Sequence, residues 1–271
     1  MAAGSNAYRG KVSVITGAAS GIGRELARQL AARGARLAIS DVEMAGLTDT
    51  ARACGGAEVR TYRVDVASRA EVFGHADAVA RDFGTAHFVF NNAGVSLGAT
   101  VEHATIEEIE WQLGINLWGV IYGTKAFLPM LLAQREGHIV NISSAFGLIA
   151  VSGQGAYNIS KFGVRALTEC LWWELEGTGV RATSVHPGGI RTNIAKAARM
   201  GAHTTEVEES LRPLVDKLLS TPPADCARDI LDGVAKGKRR ILTGNGVCVM
   251  DAIARLLPAQ YGRILKAVTG L

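Results

Sequence analysis

Tyr157 and Lys161, in Tyr157-Asn158-Ile159-Ser160-Lys161, have side chains and a spacing suited to proton transfer. In a helix this interval sets a phenol and an ammonium on one face, a turn apart. A phenol with its ordinary pKa of about 10 is a poor base at neutral pH, but a neighbouring cation favours the phenolate. Alone the pattern is short, and an exposed tyrosine over a surface lysine accounts for most isolated cases. Upstream, Asn141-Ile142-Ser143-Ser144 closes a β-branched run, which puts the Ser144 hydroxyl at a strand's carboxyl edge, where it can hold a substrate oxygen. Asn116 falls inside a long helical stretch where an amide has little local reason to be, and a helix-packing hydrogen bond explains it equally well.

A second group of residues suits a dinucleotide. The first β-branched run leads into Thr16-Gly17-Ala18-Ala19-Ser20-Gly21-Ile22-Gly23, a small-residue turn that opens a helix. Such a turn brings backbone N–H groups and the positive helix end up to a pyrophosphate. Its spacing is G-x-x-x-G-x-G, unlike the commoner G-x-G-x-x-G, and a merely tight turn is the competing explanation. The second strand ends at Asp41, where a carboxylate can accept from an adenosine ribose and would repel the 2′-phosphate of NADP. Val42 follows where a compensating arginine would be needed, so NAD is favoured; a helix N-cap is the other use for Asp41. Asp65-Val66 can offer a carboxylate and an apolar face to an adenine, although Asp65 could equally cap the helix near 68. Asn91-Asn92-Ala93-Gly94 leaves space for a cofactor.

In order and spacing, Thr16 to Gly23, Asp65-Val66, Asn91 to Gly94, Asn116, Ser144, Tyr157/Lys161 and Pro187-Gly188 followed by Thr192 resemble the short-chain dehydrogenase/reductase superfamily over nearly the whole chain. The resemblance implies an NAD(P)-dependent oxidoreductase, NAD preferred, moving a hydride between the nicotinamide and a CH–OH carbon. It implies Tyr157 as acid–base, Lys161 binding the nicotinamide ribose and lowering the tyrosine pKa, Ser144 polarising the carbonyl and Asn116 fixing a relay water. It further implies that Gly17, Ser20, Gly21, Ile22 and Gly23 hold the pyrophosphate, and that Asn92, Ala93 and Gly94 border the ribose. Pro187, Gly188, Ile190 and Thr192 complete the cofactor site, the last two at the carboxamide. His186 departs from the asparagine frequent before Pro-Gly in the family. The alternative of another class is a non-catalytic NAD-sensing or scaffolding protein on the same fold, which would be expected to have lost Tyr157, Lys161 or Ser144.

To position these residues the chain alternates β-branched and amphipathic runs, which predicts an α/β fold: a doubly wound parallel sheet of about seven strands with helices on both faces. Strands are predicted near 11–16, 35–40, 59–64, 86–91, 138–143, 180–186 and 239–242, and helices near 21–33, 43–53, 69–83, 106–133 and 154–177. Residues 1–271 read as one domain; 193–236 is a variable substrate-loop region with helices broken by Pro213 and Pro222-Pro223, and 247–271 an apolar tail. That tail, interrupted at Pro258, suits packing on the domain or a neighbouring subunit, or a membrane surface.

Four scattered cysteines, Cys54, Cys170, Cys226 and Cys248, give neither a disulfide framework nor a zinc spacing, and no metal site is expected. With no signal-like start, a cytoplasmic location follows as an expectation. The net charge of +4 has one cluster, Lys236 to Arg240, too short to suggest nucleic acid over a solvated loop. The expected partners are a small alcohol or carbonyl substrate and further copies of the chain, as a homo-tetramer or homo-dimer. Apolar Val95-Ser96-Leu97 and Ala145-Phe146-Gly147-Leu148 point to a lipophilic substrate.

Overall fold

A computed structural model describes residues 7–192, 194, 197–205 and 219–269. Its centre is a seven-stranded, wholly parallel sheet. The strands are β1 (Val12–Thr16), β2 (Arg36–Asp41), β3 (Val59–Arg63), β4 (Phe88–Asn91), β6 (Gly137–Ile142), β7 (Val180–Pro187) and β9 (Arg240–Thr243), in the order β3-β2-β1-β4-β6-β7-β9. The predicted strands all form, within two residues of the expected bounds. The chain runs outward from β1 to β3, then returns to β4 on the other side of β1, so the order reverses between β1 and β4. Ligands bind at the carboxyl ends of such a reversal.

Helices cover both faces because the central strands bury both sets of side chains. Ile15, Leu37 and Ile39 join Leu26, Leu30, Ile230 and Leu231 from α1 (Gly21–Ala32) and α7 (Pro223–Ala235). Val12, Val14 and Ala38 point the opposite way, onto Val79, Phe127, Leu131 and Leu171 from α3 (Arg69–Phe83), α5 (Gly119–Gln134) and α6 (Gly155–Glu174). α2 (Met44–Ala53) follows β2, and edge strand β3 exposes Arg60, Thr61 and Arg63.

The long helix expected over 106–133 is interrupted. α4 (Ile106–Leu113) and α5 are joined by a π-helical turn at Gly114–Trp118. The run Ile106–Gln134 is apolar and long enough to cross a membrane, yet Val120, Phe127 and Leu131 are buried in the domain's own core. A second, two-stranded parallel ladder, absent from the sequence reading, pairs β5 (Leu97–Gly98) with β8 (Arg199–Met200). It ties the loop after β4 to the predicted substrate-loop region. Of that region, Pro213 and the rest of 206–218 lie outside the described residues, as do 193, 195 and 196; Pro222 caps α7 and Pro223 begins it. The tail forms α8 (Val247–Leu256) and α9 (Tyr261–Thr269).

Candidate active site

The carboxyl ends of β1 and β4 are sewn into one floor. Thr16 Oγ1 accepts from the backbone N–H groups of Asn92 and Ala93, at 3.0 and 3.1 Å. Asn92 Nδ2 donates in return to the carbonyls of Thr16 and Gly17, at 2.9 and 3.1 Å. The amide of Asn92 is therefore occupied in shaping the turn. Gly17 sits at φ +66°, and a Cβ there would lie 2.7 Å from Ala93 Cα. A Cβ on Gly23 would come within 2.1 Å of the Gly17 carbonyl oxygen, so the turn closes only with glycine at both positions. Ser20 is the exposed N-cap of α1 with no side-chain cap bond, and the first turn holds no acidic residue. Its free N–H groups suit an anion. Thr192 closes over Gly21, its Cγ2 at 3.3 Å from where a Cβ would stand.

Asp41 does not cap α2. Glu43 does, accepting from Ala45 N. The Asp41 carboxylate instead ties the end of β2 to the glycine turn, Oδ2 accepting from Ala19 N at 2.9 Å and Oδ1 from Glu43 N at 3.0 Å. Each oxygen keeps a lone pair for a ribose hydroxyl. The guanidinium of nearby Arg24 is committed to the carbonyls of Ala19 and Gly46 and to Thr50 Oγ1. Nor does Asp65 cap α3: Ser68 accepts from Glu71 N, and Asp65 Oδ1 accepts from Ala67 N in a local turn. The side chain of Val66 is buried against Gly119, whose missing Cβ leaves it room, with Tyr122 and Ala126 nearby.

Ser144 lies two residues beyond β6 and caps a short 3₁₀ turn at Ala145–Gly147, its Oγ accepting from Phe146 N at 3.1 Å. Tyr157, in the first turn of α6, faces it, close enough for the Ser144 hydroxyl to favour the phenolate. Lys161 Nζ lies one turn on, 5.5 Å from the Tyr157 ring centroid, donating to the Ile142 carbonyl at 3.0 Å. Burial pushes the phenol up to about 12 and the 3% exposed lysine down to about 8. The protein group that pulls the phenol back is the Ser144 hydroxyl; the expected lowering by Lys161 does not emerge in the protein by itself.

Asn116 sits fully buried within the π-helical turn. Its Oδ1 accepts from Val95 N at 2.8 Å and its Nδ2 donates to the Val95 carbonyl at 2.9 Å, so the side chain clamps the loop after β4. A Cβ on Gly94 would lie 3.2 Å from Asn116 Oδ1 and 3.5 Å from Lys161 Nζ. Glycine there keeps the space between them open. Pro187 ends β7, Gly188 donates to the Thr243 carbonyl, and Ile190 is buried.

Sequence reasoning missed the polar support beneath. Asn91 Nδ2 donates to Asn141 Oδ1 at 2.8 Å, and Asn141 Nδ2 to Thr168 Oγ1 at 3.0 Å, inside the sheet–helix layer. Amides ending two central strands were the available signal. A large open concavity of about 840 Å³, between the far ends of α1 and α2, holds none of these residues, and its Arg28 and Arg36 pair with Glu25 and Glu58. On the substrate side Ala145, Leu148 and Val247 form an apolar cluster with Phe146 and Met250. The tail thus packs on the domain beside the site, with Tyr261 Oη accepting from Ala150 N, while Val249, Leu256 and Leu257 stay exposed.

The family model for short chain dehydrogenases matches residues 11–202. The chain belongs to the short-chain dehydrogenase/reductase superfamily. It is 45% identical over 267 residues, 97% of this chain and 96% of the other, to the Mycobacterium tuberculosis protein SadH. A Burkholderia phymatum short-chain dehydrogenase/reductase, solved with NAD, superposes with a TM-score of 0.87 at 33% identity, covering 92% of this chain and 94% of that one. A metagenomic short-chain oxidoreductase solved with NADP superposes at 0.72 with 26% identity, covering 88% and 98%. Neighbours of this dehydrogenase/reductase therefore bind either cofactor.

Proposed function

We propose that this oxidoreductase interconverts secondary alcohols and ketones with NAD(H), Tyr157 acting as acid–base. The observation that carries the reading is the meeting of Ser144, Tyr157 and Lys161 beside the glycine turn and the open space over Gly94. A bound nicotinamide supplies the carbon that accepts or donates the hydride and, when oxidised, a positive charge that favours the phenolate. Gly17, Ser20, Gly21, Ile22 and Gly23 hold its pyrophosphate, and Asp41 its adenosine ribose. Asp65, Val66, Asn92, Ala93 and Gly94 border it, with Lys161 at the nicotinamide ribose and Pro187, Gly188, Ile190 and Thr192 at the ring.

In oxidation Tyr157 takes the substrate hydroxyl proton, and in reduction it returns it. Ser144 Oγ already accepts from Phe146 N, and its own O–H, which faces Tyr157, can turn to donate to the reacting oxygen where negative charge develops. The Asn116 amide is clamped on Val95 and keeps a lone pair on Oδ1, with which it would fix the relay water.

Two features support NAD over NADP: the Asp41 carboxylate and the engagement of Arg24 elsewhere. The apolar cluster around Leu148 and Val247 supports a lipophilic substrate. Exposed Trp118, Phe162 and Trp173 on or beside α5 and α6 support a homo-oligomer, checked by sedimentation. A cytoplasmic location is part of the same proposal. The test is a screen of alcohols and ketones by nicotinamide absorbance with NAD and NADP in parallel. Turnover of lipophilic secondary alcohols with NAD is expected; equal or better use of NADP would overturn the role of Asp41.

A further inference from the structure

β7 carries a histidine that none of these steps uses. His186 is fully buried, next to the carboxyl end of β6. Its Nδ1 lies 3.1 Å from the Ser144 carbonyl oxygen, and its Nε2 lies 2.9 Å from Ser184 Oγ. A carbonyl only accepts, so Nδ1 carries the proton. In the neutral ring Nε2 then accepts, and the Ser184 hydroxyl donates to it. Burial drives the imidazole pKa down to about 4, in keeping with a neutral ring. Both nitrogens are thus satisfied inside the protein, which a buried polar ring requires.

What the ring holds is the peptide of Ser144. On the other side, that serine's Oγ is fixed by Phe146 N at 3.1 Å. The carbonyl and the hydroxyl hang from the same Cα, at the point where the extended strand turns into the 3₁₀ turn, φ −164° and ψ 167°. A change in ψ at Ser144 moves the 3₁₀ turn that follows, and with it the Phe146 N–H that fixes the hydroxyl.

We infer that His186 is a positioning residue: as an Nδ1–H donor it fixes the Ser144 peptide so that the Ser144 O–H is aimed at the reacting oxygen. The inference rests on the role proposed above for Ser144. An asparagine places its Nδ2 the same number of bonds from the backbone as histidine Nδ1, and so keeps the donor. A leucine keeps volume and apolar burial without it.

The test compares kcat and KM for His186→Asn, His186→Leu, Ser144→Ala and the Ser144→Ala/His186→Leu double variant, with NAD and the best secondary alcohol of the screen. His186→Leu is expected to lower kcat about tenfold, the worth of one hydrogen bond, with KM for NAD nearly unchanged. His186→Asn should recover most of the loss. In the Ser144→Ala background His186→Leu should cost nothing more, because its effect passes through that hydroxyl. Asparagine as poor as leucine, or an equal loss in both backgrounds, would overturn the inference. A fully active Ser144→Ala enzyme would instead overturn the reading of Ser144. Long-range ¹H–¹⁵N spectra of the wild-type protein need no turnover: a protonated Nδ1 and a bare Nε2 are expected, and the opposite tautomer or a cation at neutral pH contradicts the proposal.

Discussion

Replacing Lys161 by methionine should cost activity and raise stability. The ammonium is 3% exposed, and burial lowers its pKa from 10.5 to about 8. That difference of about 2.5 pKa units, at 1.36 kcal/mol each, amounts to roughly 3 kcal/mol against the folded, protonated state. Methionine removes this cost with similar volume, but leaves the Ile142 carbonyl without the donor it now has at 3.0 Å, a loss of about 1 kcal/mol. The net gain is about 1–2 kcal/mol, a rise in Tm of about 3–6 °C for a chain of this size. The gain depends on pH. Between about pH 8 and 10.5 the unfolded chain holds the proton that the folded protein has released, so wild-type stability climbs with pH across this window. The advantage of Lys161→Met is therefore full below about pH 8 and fades towards 10.5. Urea unfolding of the cofactor-free proteins near pH 7 and pH 10 measures it. A variant less stable than wild type at pH 7 while natively folded, or a gap that ignores pH, would refute the reasoning.

Three further outcomes follow from the same contacts. Asp41→Asn removes the charge that repels a 2′-phosphate, and should move the kcat/KM preference towards NADP by about tenfold or more; it also points an NH₂ at one of the N–H groups of Ala19 or Glu43, lowering stability by about 1 kcal/mol in thermal unfolding. Gly94→Ala puts a methyl 3.2 Å from Asn116 Oδ1 and 3.5 Å from Lys161 Nζ, so kcat should fall at least about tenfold while Tm moves only a few degrees; an unaltered kcat shows that space to be unused. Asn91→Leu strands the Asn141 side-chain oxygen Oδ1 inside the sheet–helix layer and should destabilise by about 1–3 kcal/mol, read as a lower urea midpoint.

Much of the molecule was legible in the sequence because it is written in local patterns. The strands alternate in register with two covering layers, and Gly17 and Gly23 are demanded because a Cβ on Gly23 would stand only 2.1 Å from the Gly17 oxygen. Ser144, Tyr157 and Lys161 met as their spacing implied. What stayed hidden depends on contacts between distant segments. Asp41 and Asp65 each sit where a cap could form, and only the fold shows Glu43 and Ser68 taking those places. The π turn around Asn116 depends on Val95 and Val66, which no periodicity within 106–133 encodes. His186 reads in the sequence only as a departure from a family pattern; the contact proposed for it is visible only from the Ser144 carbonyl beyond β6. Burial acts on both the phenol and the lysine and favours their neutral forms, an effect that spacing alone does not show.

The central claim, that Tyr157 moves the proton, is tested most directly by Tyr157→Phe. The account predicts loss of turnover by about a thousandfold, within the range for a general acid–base, with NAD affinity by fluorescence titration within a few fold of wild type. Near-normal turnover by that variant would contradict it.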